Sequence, residues 1–323
     1  MRAAVIHRYG GPNVLTVETV PVPRHNADEV LIHISAAGVG TWDPWVRSGG
    51  EDDGDTEFPL VLGTDGGGTV VAAGANVSRL AVGDRVYSYM FGNPKGGFYA
   101  EYVAMPASKV ARVPEGLDDR QAGVVPAIGL TALQGVDDAL EIADGEAVVI
   151  HGASGNVGML AIQFAKLRGA RVLAIASGSD GVELVRRLGA DVAVDGKGDD
   201  VEAALKDFAP DGIDAVLAFV GGKDLTRTLD HMVKGGRLAY PNGIEHEPRK
   251  RRGLSITKYD AESGVRQFER LGAAIEQSKL EVPIAATFPL NEVARAHERV
   301  ERGHLVGAVV LEVAPRATAL RRT

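Results

Sequence analysis

The 323-residue chain contains no cysteine. This absence excludes disulfide bridges, thiolate zinc sites, iron–sulfur clusters and cysteine nucleophiles. Long apolar runs are also missing, since no stretch reaches the roughly 18 apolar residues of a membrane-spanning helix. The N-terminal stretch lacks the apolar segment of a secretory signal. Together these absences favour a reduced, cytoplasmic setting and no membrane span.

Positive charge is scarcer than negative charge. The chain carries 35 Lys and Arg against 43 Asp and Glu, which gives a formal net charge of −8. An acidic protein repels the phosphate backbone, so nucleic-acid binding is disfavoured. The basic run Arg249–Arg252 and the acidic run of residues 51–57 are both predicted to be solvated loops.

Two styles of local pattern divide the chain. Short β-like runs separated by Gly and Pro clusters fill residues 1–118 and predict a β-rich domain. After a helix at 121–140, strand-like and helical segments alternate, which predicts a parallel sheet covered by helices on both faces. The predicted strands of this part are 147–151, 171–176, 191–195, 213–220 and 237–241, with a later edge strand at 282–287. A final helix at 290–302 and a strand at 308–313 lie outside this alternation and are expected to rejoin the first domain.

A glycine-rich turn follows the predicted strand 147–151. It reads His151-Gly152-Ala153-Ser154-Gly155-Asn156-Val157-Gly158 and opens a helix that ends near Gly169. A strand, glycine turn, helix and second strand within about 30 residues form the context of a dinucleotide-binding fingerprint. Small residues let the backbone approach a pyrophosphate, and the N–H groups at the helix start hold the anion. His151 itself is expected to be a hydrogen-bonded residue at a strand end.

The end of the second strand favours NADPH over NADH. NAD sites place an acidic residue there to bind the ribose 2′-hydroxyl, and this acid would repel the 2′-phosphate of NADP. The strand ends in Ala176-Ser177-Gly178-Ser179, whose hydroxyls can donate to a phosphate. Asp180 is interpreted as the N-cap of the next helix. Because no Lys or Arg lies in this segment, NADH stays as the alternative cofactor.

Further motifs are spread over the whole chain. They are Ala37-Gly38-Val39 through Asp43, Arg47-Ser48-Gly49, Leu62 to Gly68, Val82 to Val86, Gly97 to Tyr102, Gly129-Leu130-Thr131-Ala132 and Gly235-Gly236-Arg237. With the glycine turn, they resemble the medium-chain dehydrogenase/reductase superfamily, in its zinc-free quinone oxidoreductase (zeta-crystallin-like) branch. The resemblance implies an α/β fold with two domains and the cofactor in the cleft between them. A GroES-like β-rich catalytic domain would comprise 1–118 and 288–323, and a Rossmann domain with a doubly wound parallel sheet would comprise 119–287.

The resemblance also implies which residues hold the cofactor. They are Gly40, Thr131, Ser154, Gly155, Asn156, Val157, Ser177, Gly196, Gly222, Tyr240, Pro241, Asn242 and Gly243. Trp45 stands where the family has a tyrosine of the substrate pocket, and Tyr240 is the favoured tyrosine for a proton donor there. No residue is assigned as catalytic. The resemblance also implies a homodimer that forms through the edge strands of the Rossmann sheet. Residues 236–258 are expected to lie at that edge.

Metal ligands are missing where zinc-dependent members carry them. Those members have a cysteine and a His-Glu pair at the places of Gly40-Thr41 and Thr64-Asp65, so no metal site is predicted. Asp65 is assigned to a turn or inter-strand hydrogen bond.

The predicted function is hydride transfer from NADPH to a quinone or an α,β-unsaturated carbonyl, whose conjugation spreads the developing charge. Two alternatives remain open: an NADPH-binding sensor or partner-binding protein with little catalysis, and a pathway-specific enoyl reductase.

Overall fold

The computed structural model describes residues 1–50, 54 and 56–314. Its strands are β1 (Arg2–Ile6), β2 (Thr16–Thr19), β3 (Glu29–Val39), β4 (Leu60–Val61), β5 (Asp65–Ala73), β6 (Arg85–Tyr89), β7 (Tyr102–Pro106), β8 (Val110–Arg112), β9 (Ala147–His151), β10 (Arg171–Ala176), β11 (Val192–Asp195), β12 (Ile213–Ala218), β13 (Met232–Pro241), β14 (Ser255–Tyr259), β15 (Ile284–Pro289) and β16 (Ala308–Glu312). Its α-helices are α1 (Trp42–Arg47), α2 (Asp119–Gln134), α3 (Gly158–Leu167), α4 (Gly178–Arg187), α5 (Val201–Phe208), α6 (Lys223–Thr228), α7 (Val265–Ser278) and α8 (Val293–Glu301). None of these helices combines the length and the apolar character needed to cross a bilayer.

Six parallel strands form the sheet that the alternating pattern predicts, in the order β11-β10-β9-β12-β13-β14. The central strand β9 is buried along its whole length. Its alternate residues point to opposite faces: Val148 and Ile150 pack in the cluster that includes α3 and α7, whereas Val149 packs with α5 and α6. Helices therefore cover both faces, as a doubly wound sheet requires. The strand order reverses between β9 and β12, and such a switch point opens a crevice at the carboxyl ends of the strands.

The second large sheet has the order β15-β16-β3-β5-β6-β8, with β7 also paired to β3. Strand β16 pairs antiparallel with β3, so a segment near the C-terminus completes a sheet of N-terminal strands. Helix α8 packs on this sheet through Val293, Ala296 and Val300, the residues that the helical spacing predicts to share one face. A small sheet, β2-β1-β4, lies beside it.

The strand predicted near 282–287 lies in a different sheet from the one expected. It is β15, and it pairs in parallel with β16 of the mixed sheet rather than extending the parallel sheet around β9. The prediction is wrong because β15, α8 and β16 form a βαβ unit of their own, and such a crossover brings its two strands together. The local sequence pattern therefore predicts that a strand forms here, but it does not predict which strand it pairs with.

Helix α2 joins the two large sheets. Its start is a capping box in which Asp118 accepts a hydrogen bond from the Gln121 amide and the Gln121 side chain accepts one from the Asp118 amide. The helix lies almost directly on β5, since a Cβ at Gly67 would come within 2.9 Å of the Ala122 carbonyl oxygen. Its opposite side packs against α3 and α7. This close approach brings the backbone of α2 next to the first residues of β5.

Candidate functional site

The glycine turn lies at the carboxyl end of β9, beside the switch point. Gly152 adopts a φ of +71°, which favours glycine, and the Ala153 amide donates to the Ile175 carbonyl of β10. Helix α3 follows without a capping side chain at its N-cap, Val157. The Met159 and Leu160 amides of its first turn donate to the Gly155 and Val157 carbonyls, whereas the Asn156 and Gly158 amides donate to no acceptor in the described part of the chain. These two amides can therefore face an anion. A Cβ at Gly158 would lie 2.4 Å from the Gly152 carbonyl oxygen, so the helix start sits tightly on the turn. This geometry fits the pyrophosphate of a dinucleotide.

Most of the predicted cofactor residues gather at the carboxyl ends of the parallel strands. They are Ser154 to Val157 after β9, Ser177 after β10, Gly196 after β11, Gly222 after β12, and Tyr240 to Gly243 at the end of β13. Thr131 lies in α2, where its hydroxyl donates to the Ala127 carbonyl and its own carbonyl accepts from Tyr259. Gly40 directly follows β3. Contact of these residues with a cofactor stays a prediction.

The N-cap assigned to the helix after β10 is wrong by three residues. Ser177 is the N-cap, since Gly178 has a φ of +76° and turns the chain into the helix at once. Asp180 lies in the first turn, where its carboxylate accepts from the Gly181 amide and lies 3.2 Å from the His304 Nε2. The Gly181 amide and the His304 side chain lower the pKa of Asp180, with burial opposing them. This acid is therefore directed at a histidine from the segment after α8.

A small cavity connects the glycine turn with the mixed sheet. We call it the Asp65 cavity. Its walls are Gly38, Val39, Gly40, Trp42, Asp65, Val124, Ile128, Asn156, Ala308 and Val309. Asn156 belongs to the glycine turn, whereas Gly40 and Trp42 follow β3 and Asp65 begins β5. Two of the predicted cofactor residues, Gly40 and Asn156, thus share one cavity wall.

Trp42 rather than Trp45 occupies this cavity. The Trp42 indole covers Gly40, where a Cβ would come within 2.4 Å of the ring, and its Nε1 donates to the Thr64 hydroxyl at 2.8 Å. Trp45 is 48% exposed and packs over Gly50. Trp42 was not among the residues predicted for the site, although an aromatic residue two positions after Gly40 was a usable signal.

Tyr240 also lies away from the Asp65 cavity. Its side chain is buried in the cluster on the α5 and α6 side of the parallel sheet, and its hydroxyl lies 3.4 Å from the Glu247 carboxylate. Burial and Glu247 raise the pKa of Tyr240. The structure therefore brings neither of the two predicted substrate-pocket residues, Trp45 and Tyr240, to the cavity wall.

Two carboxyl groups are buried beside the cavity. Asp43 accepts a hydrogen bond from the Gly40 amide at 2.7 Å, and its burial raises its pKa to about 7. Asp65 accepts from the Ala127 amide of α2 at 3.3 Å and lies 3.4 Å from the Thr64 hydroxyl. Burial first, and then the charge of Asp43, raise the pKa of Asp65 well above its usual range. Asp65 was predicted only to form a turn or inter-strand hydrogen bond, and its pairing with Asp43 was not predicted.

His151 is a structural residue, as the sequence predicts. Its Nε2 lies 2.9 Å from the Thr228 hydroxyl, which donates its own proton to the Asp224 carbonyl. The histidine is therefore the donor in this hydrogen bond. Burial lowers the pKa of His151 to about 4, which keeps the ring neutral at physiological pH. Among the described residues, no group of three His, Cys, Asp or Glu side chains is arranged to hold a metal ion.

The fold and the glycine turn define a class of protein. A doubly wound parallel sheet with a phosphate-binding turn at its switch point, joined to a mixed sheet across a cavity, is the architecture of a two-domain dinucleotide-binding oxidoreductase. Residues 26–115 match the alcohol dehydrogenase GroES-like domain family, and residues 188–311 match the zinc-binding dehydrogenase family.

Similar proteins narrow the class. The quinone oxidoreductase of Rattus norvegicus is 31% identical over 312 residues, which cover 93% of this chain and 94% of the relative. A crystal structure described as an NAD-dependent alcohol dehydrogenase is 32% identical, with a TM-score of 0.90 over 97% of this chain and 100% of its own. A mycobacterial structure complexed with NADPH is 29% identical, with a TM-score of 0.84 over 97% and 100%. The chain belongs to the quinone oxidoreductase branch of the medium-chain dehydrogenase/reductase superfamily and is an oxidoreductase.

Proposed function

We propose that the protein transfers hydride from NADPH to quinones or α,β-unsaturated carbonyl compounds. The observation that carries this proposal is the Asp65 cavity, where Asn156 of the glycine turn meets Gly40 and Trp42 of the mixed sheet. When bound, a nicotinamide supplies the hydride. The Asn156 and Gly158 amides at the start of α3 would hold the pyrophosphate. The space beside Gly40 is taken by the Trp42 indole, which would therefore form the wall next to the nicotinamide.

The walls of the cavity suit a conjugated acceptor. Val124 and Ile128 are apolar and exclude water, and the Trp42 indole offers a flat face for stacking. A quinone or enone accepts hydride readily because conjugation spreads the charge, so alignment and exclusion of water are the main tasks of the protein. The name of the rat relative, quinone oxidoreductase, supports this acceptor class.

The end of β10 supports NADPH as the preferred cofactor. Ser177, Gly178 and Ser179 carry no charge, and the first acid beyond them, Asp180, is directed at His304. A 2′-phosphate would therefore meet hydroxyl groups rather than a free carboxylate. The mycobacterial NADPH complex agrees with this choice, whereas the NAD-dependent alcohol dehydrogenase would favour NADH.

Turnover and binding together test the proposed function. We expect NADPH oxidation with 1,4-benzoquinone and with 2-cyclohexenone, and at least about tenfold tighter binding of NADPH than of NADH, equivalent to roughly 1.4 kcal/mol. Absorbance of the reduced nicotinamide reports turnover, and its fluorescence reports binding. NADPH binding without turnover on either acceptor would favour the sensor alternative. Tighter NADH binding would contradict the assigned cofactor.

The preference for NADPH is expected to depend on Ser177. In Ser177→Asp, an acid at the end of β10 would repel the 2′-phosphate, and we expect NADPH affinity to fall about tenfold or more while NADH affinity is kept or improved. Aspartate is a good N-cap residue, so α4 should stay intact. Ser177→Ala is the matched control and should lose much less NADPH affinity. Equal NADPH dissociation constants for Ser177→Asp and the wild type would refute this account of the strand end.

A further inference from the structure

We propose that Asp65, in its protonated form, is the catalytic acid that delivers a proton to the reduced acceptor. This inference rests on the proposed function and adds the residue that the sequence analysis left unassigned. Among the described residues that line the Asp65 cavity, Asp65 alone has a side chain that titrates. Hydride transfer to a carbonyl-containing acceptor needs a proton, and general acids must lie within reach of the reacting atoms. Tyr240, the predicted donor, is absent from the lining.

The backbone of α2 and the side chain of Thr64 orient the Asp65 carboxyl. Its Oδ2 accepts from the Ala127 amide, and its Oδ1 lies near the Thr64 hydroxyl, which accepts from Trp42 Nε1. A Cβ at Gly38 would lie 2.9 Å from Oδ1 and 3.1 Å from Oδ2. Gly38 also lines the cavity. Because glycine has no Cβ, the Asp65 carboxyl fits directly beside it in the cavity wall.

The surroundings of Asp65 favour its protonated form by raising its pKa. The titratable groups that face it are Asp43 from α1, Tyr89 from β6 and Tyr99, which precedes β7. Asp43 repels a second negative charge, and burial raises the pKa of both tyrosines, so they stay neutral. Asp65 is only 1% exposed, and no cation contributes to lowering its pKa. A neutral acid that lines the cavity is the form that can donate a proton.

The proton step balances with one hydride and one proton for each acceptor. When an enone receives hydride at its β-carbon, a carbon–hydrogen bond forms and an electron pair moves to the carbonyl oxygen. The O–H bond of Asp65 breaks and its proton passes to the enolate that has formed. The electron pair of that bond stays on the Asp65 carboxylate, which regains a proton from water before the next turnover.

Asp65→Asn tests this role. Asparagine has nearly the same shape and its side-chain oxygen can still accept from the Ala127 amide, but it cannot donate an acidic proton. We expect kcat with 2-cyclohexenone to fall about a hundredfold, within the range for loss of a general acid, while NADPH affinity changes little. The wild-type kcat should fall at high pH as Asp65 ionises, and this limb should vanish in the variant. Wild-type kcat and an unchanged pH profile in Asp65→Asn would overturn the proposal.

Infrared spectroscopy gives a readout that does not depend on turnover. At a pH well above 7, where Asp43 with its pKa of about 7 is ionised, the wild-type protein should still show the carbonyl stretch of a buried protonated carboxyl, and Asp65→Asn should lose it. Gly38→Ala provides a second variant, because it keeps the acid but displaces its oxygens; kcat should fall while the infrared band persists. Absence of the band from the wild type overturns the role of Asp65. If the wild type turns over no acceptor, the proposed function is wrong. If the wild type is active and Asp65→Asn has the same kcat, the proposed function stands and only the role of Asp65 as the acid is wrong.

Discussion

Replacing Gly158 with alanine is expected to weaken NADPH binding at least a hundredfold and to destabilise the fold. The added Cβ would lie 2.4 Å from the Gly152 carbonyl oxygen and 2.7 Å from the Ala153 Cα. Both are backbone atoms that cannot rotate away, so α3 must lift off the glycine turn. Overpacking of this kind costs about 1–3 kcal/mol, and the amides proposed to hold the pyrophosphate would move with the helix. Fluorescence titration with NADPH and urea unfolding measure the two effects.

Gly272→Ala is the matched control for this substitution. Gly272 lies within α7, and a Cβ there would meet its nearest neighbour, Pro114 Cγ, at an ordinary contact distance of 3.6 Å. Alanine inside a helix is favoured over glycine by roughly 0.5–1 kcal/mol, so this variant should unfold at a higher urea concentration and bind NADPH normally. Normal NADPH affinity in Gly158→Ala would show that the turn does not hold the pyrophosphate.

Arg47→Met is expected to lower the free energy of unfolding by about 1–3 kcal/mol. The Arg47 side chain is almost fully buried and donates to the Gly10 carbonyl at 2.9 Å and to the Glu301 carboxylate at 2.6 Å. A third nitrogen lies 3.2 Å from His297 Nδ1. The guanidinium thus connects α1 with α8 and the loop after β1. Methionine fills similar space but leaves the buried His297 Nδ1 and the partly buried Gly10 carbonyl without this donor, which is the costly part. The Glu301 carboxylate is 38% exposed and can turn to water.

An exposed ion pair gives the comparison for Arg47. Arg295 also pairs with a glutamate, Glu292, but its side chain is 66% exposed. Surface pairs of this kind contribute about 0–1 kcal/mol, so Arg295→Met should unfold at nearly the wild-type guanidinium concentration. Equal losses in Arg47→Met and Arg295→Met would mean that burial does not determine the contribution of Arg47.

The strands of the parallel sheet were predictable where burial is complete. The bounds predicted for β9 and β10 agree with the structure, because strands buried on both faces give short apolar runs that end at turn residues. The prediction placed the start of β13 at 237, after Gly235 and Gly236, whereas the strand begins at Met232. Glycines lower strand propensity, but pairing with β12 carries the strand through them with a shift in register.

Sheet membership was beyond the reach of local pattern. The run near 282–287 is a strand both in the prediction and in the structure. Its partner, however, is β16 and not a strand of the parallel sheet. Pairing depends on where the chain returns after α8, and residue spacing within one strand carries no information on that path. The start of α4 was also mispredicted from local sequence. Asp180 was predicted as the N-cap, but the positive φ of Gly178 makes the helix begin earlier, with Ser177 as its N-cap.

The sequence by itself determined the glycine turn, the alternating βα pattern that places it, and the family, because these depend on residues that are neighbours along the chain. Only the tertiary structure decided that Trp42 rather than Trp45 faces the Asp65 cavity and that Asp43 and Asp65 are buried together. The direction of a side chain in the short helix α1 depends on how the helix docks. The pKa of a carboxyl depends on charges and water that reach it through space, and Asp43 and Asp65 become neighbours only when β3, α1 and β5 pack together.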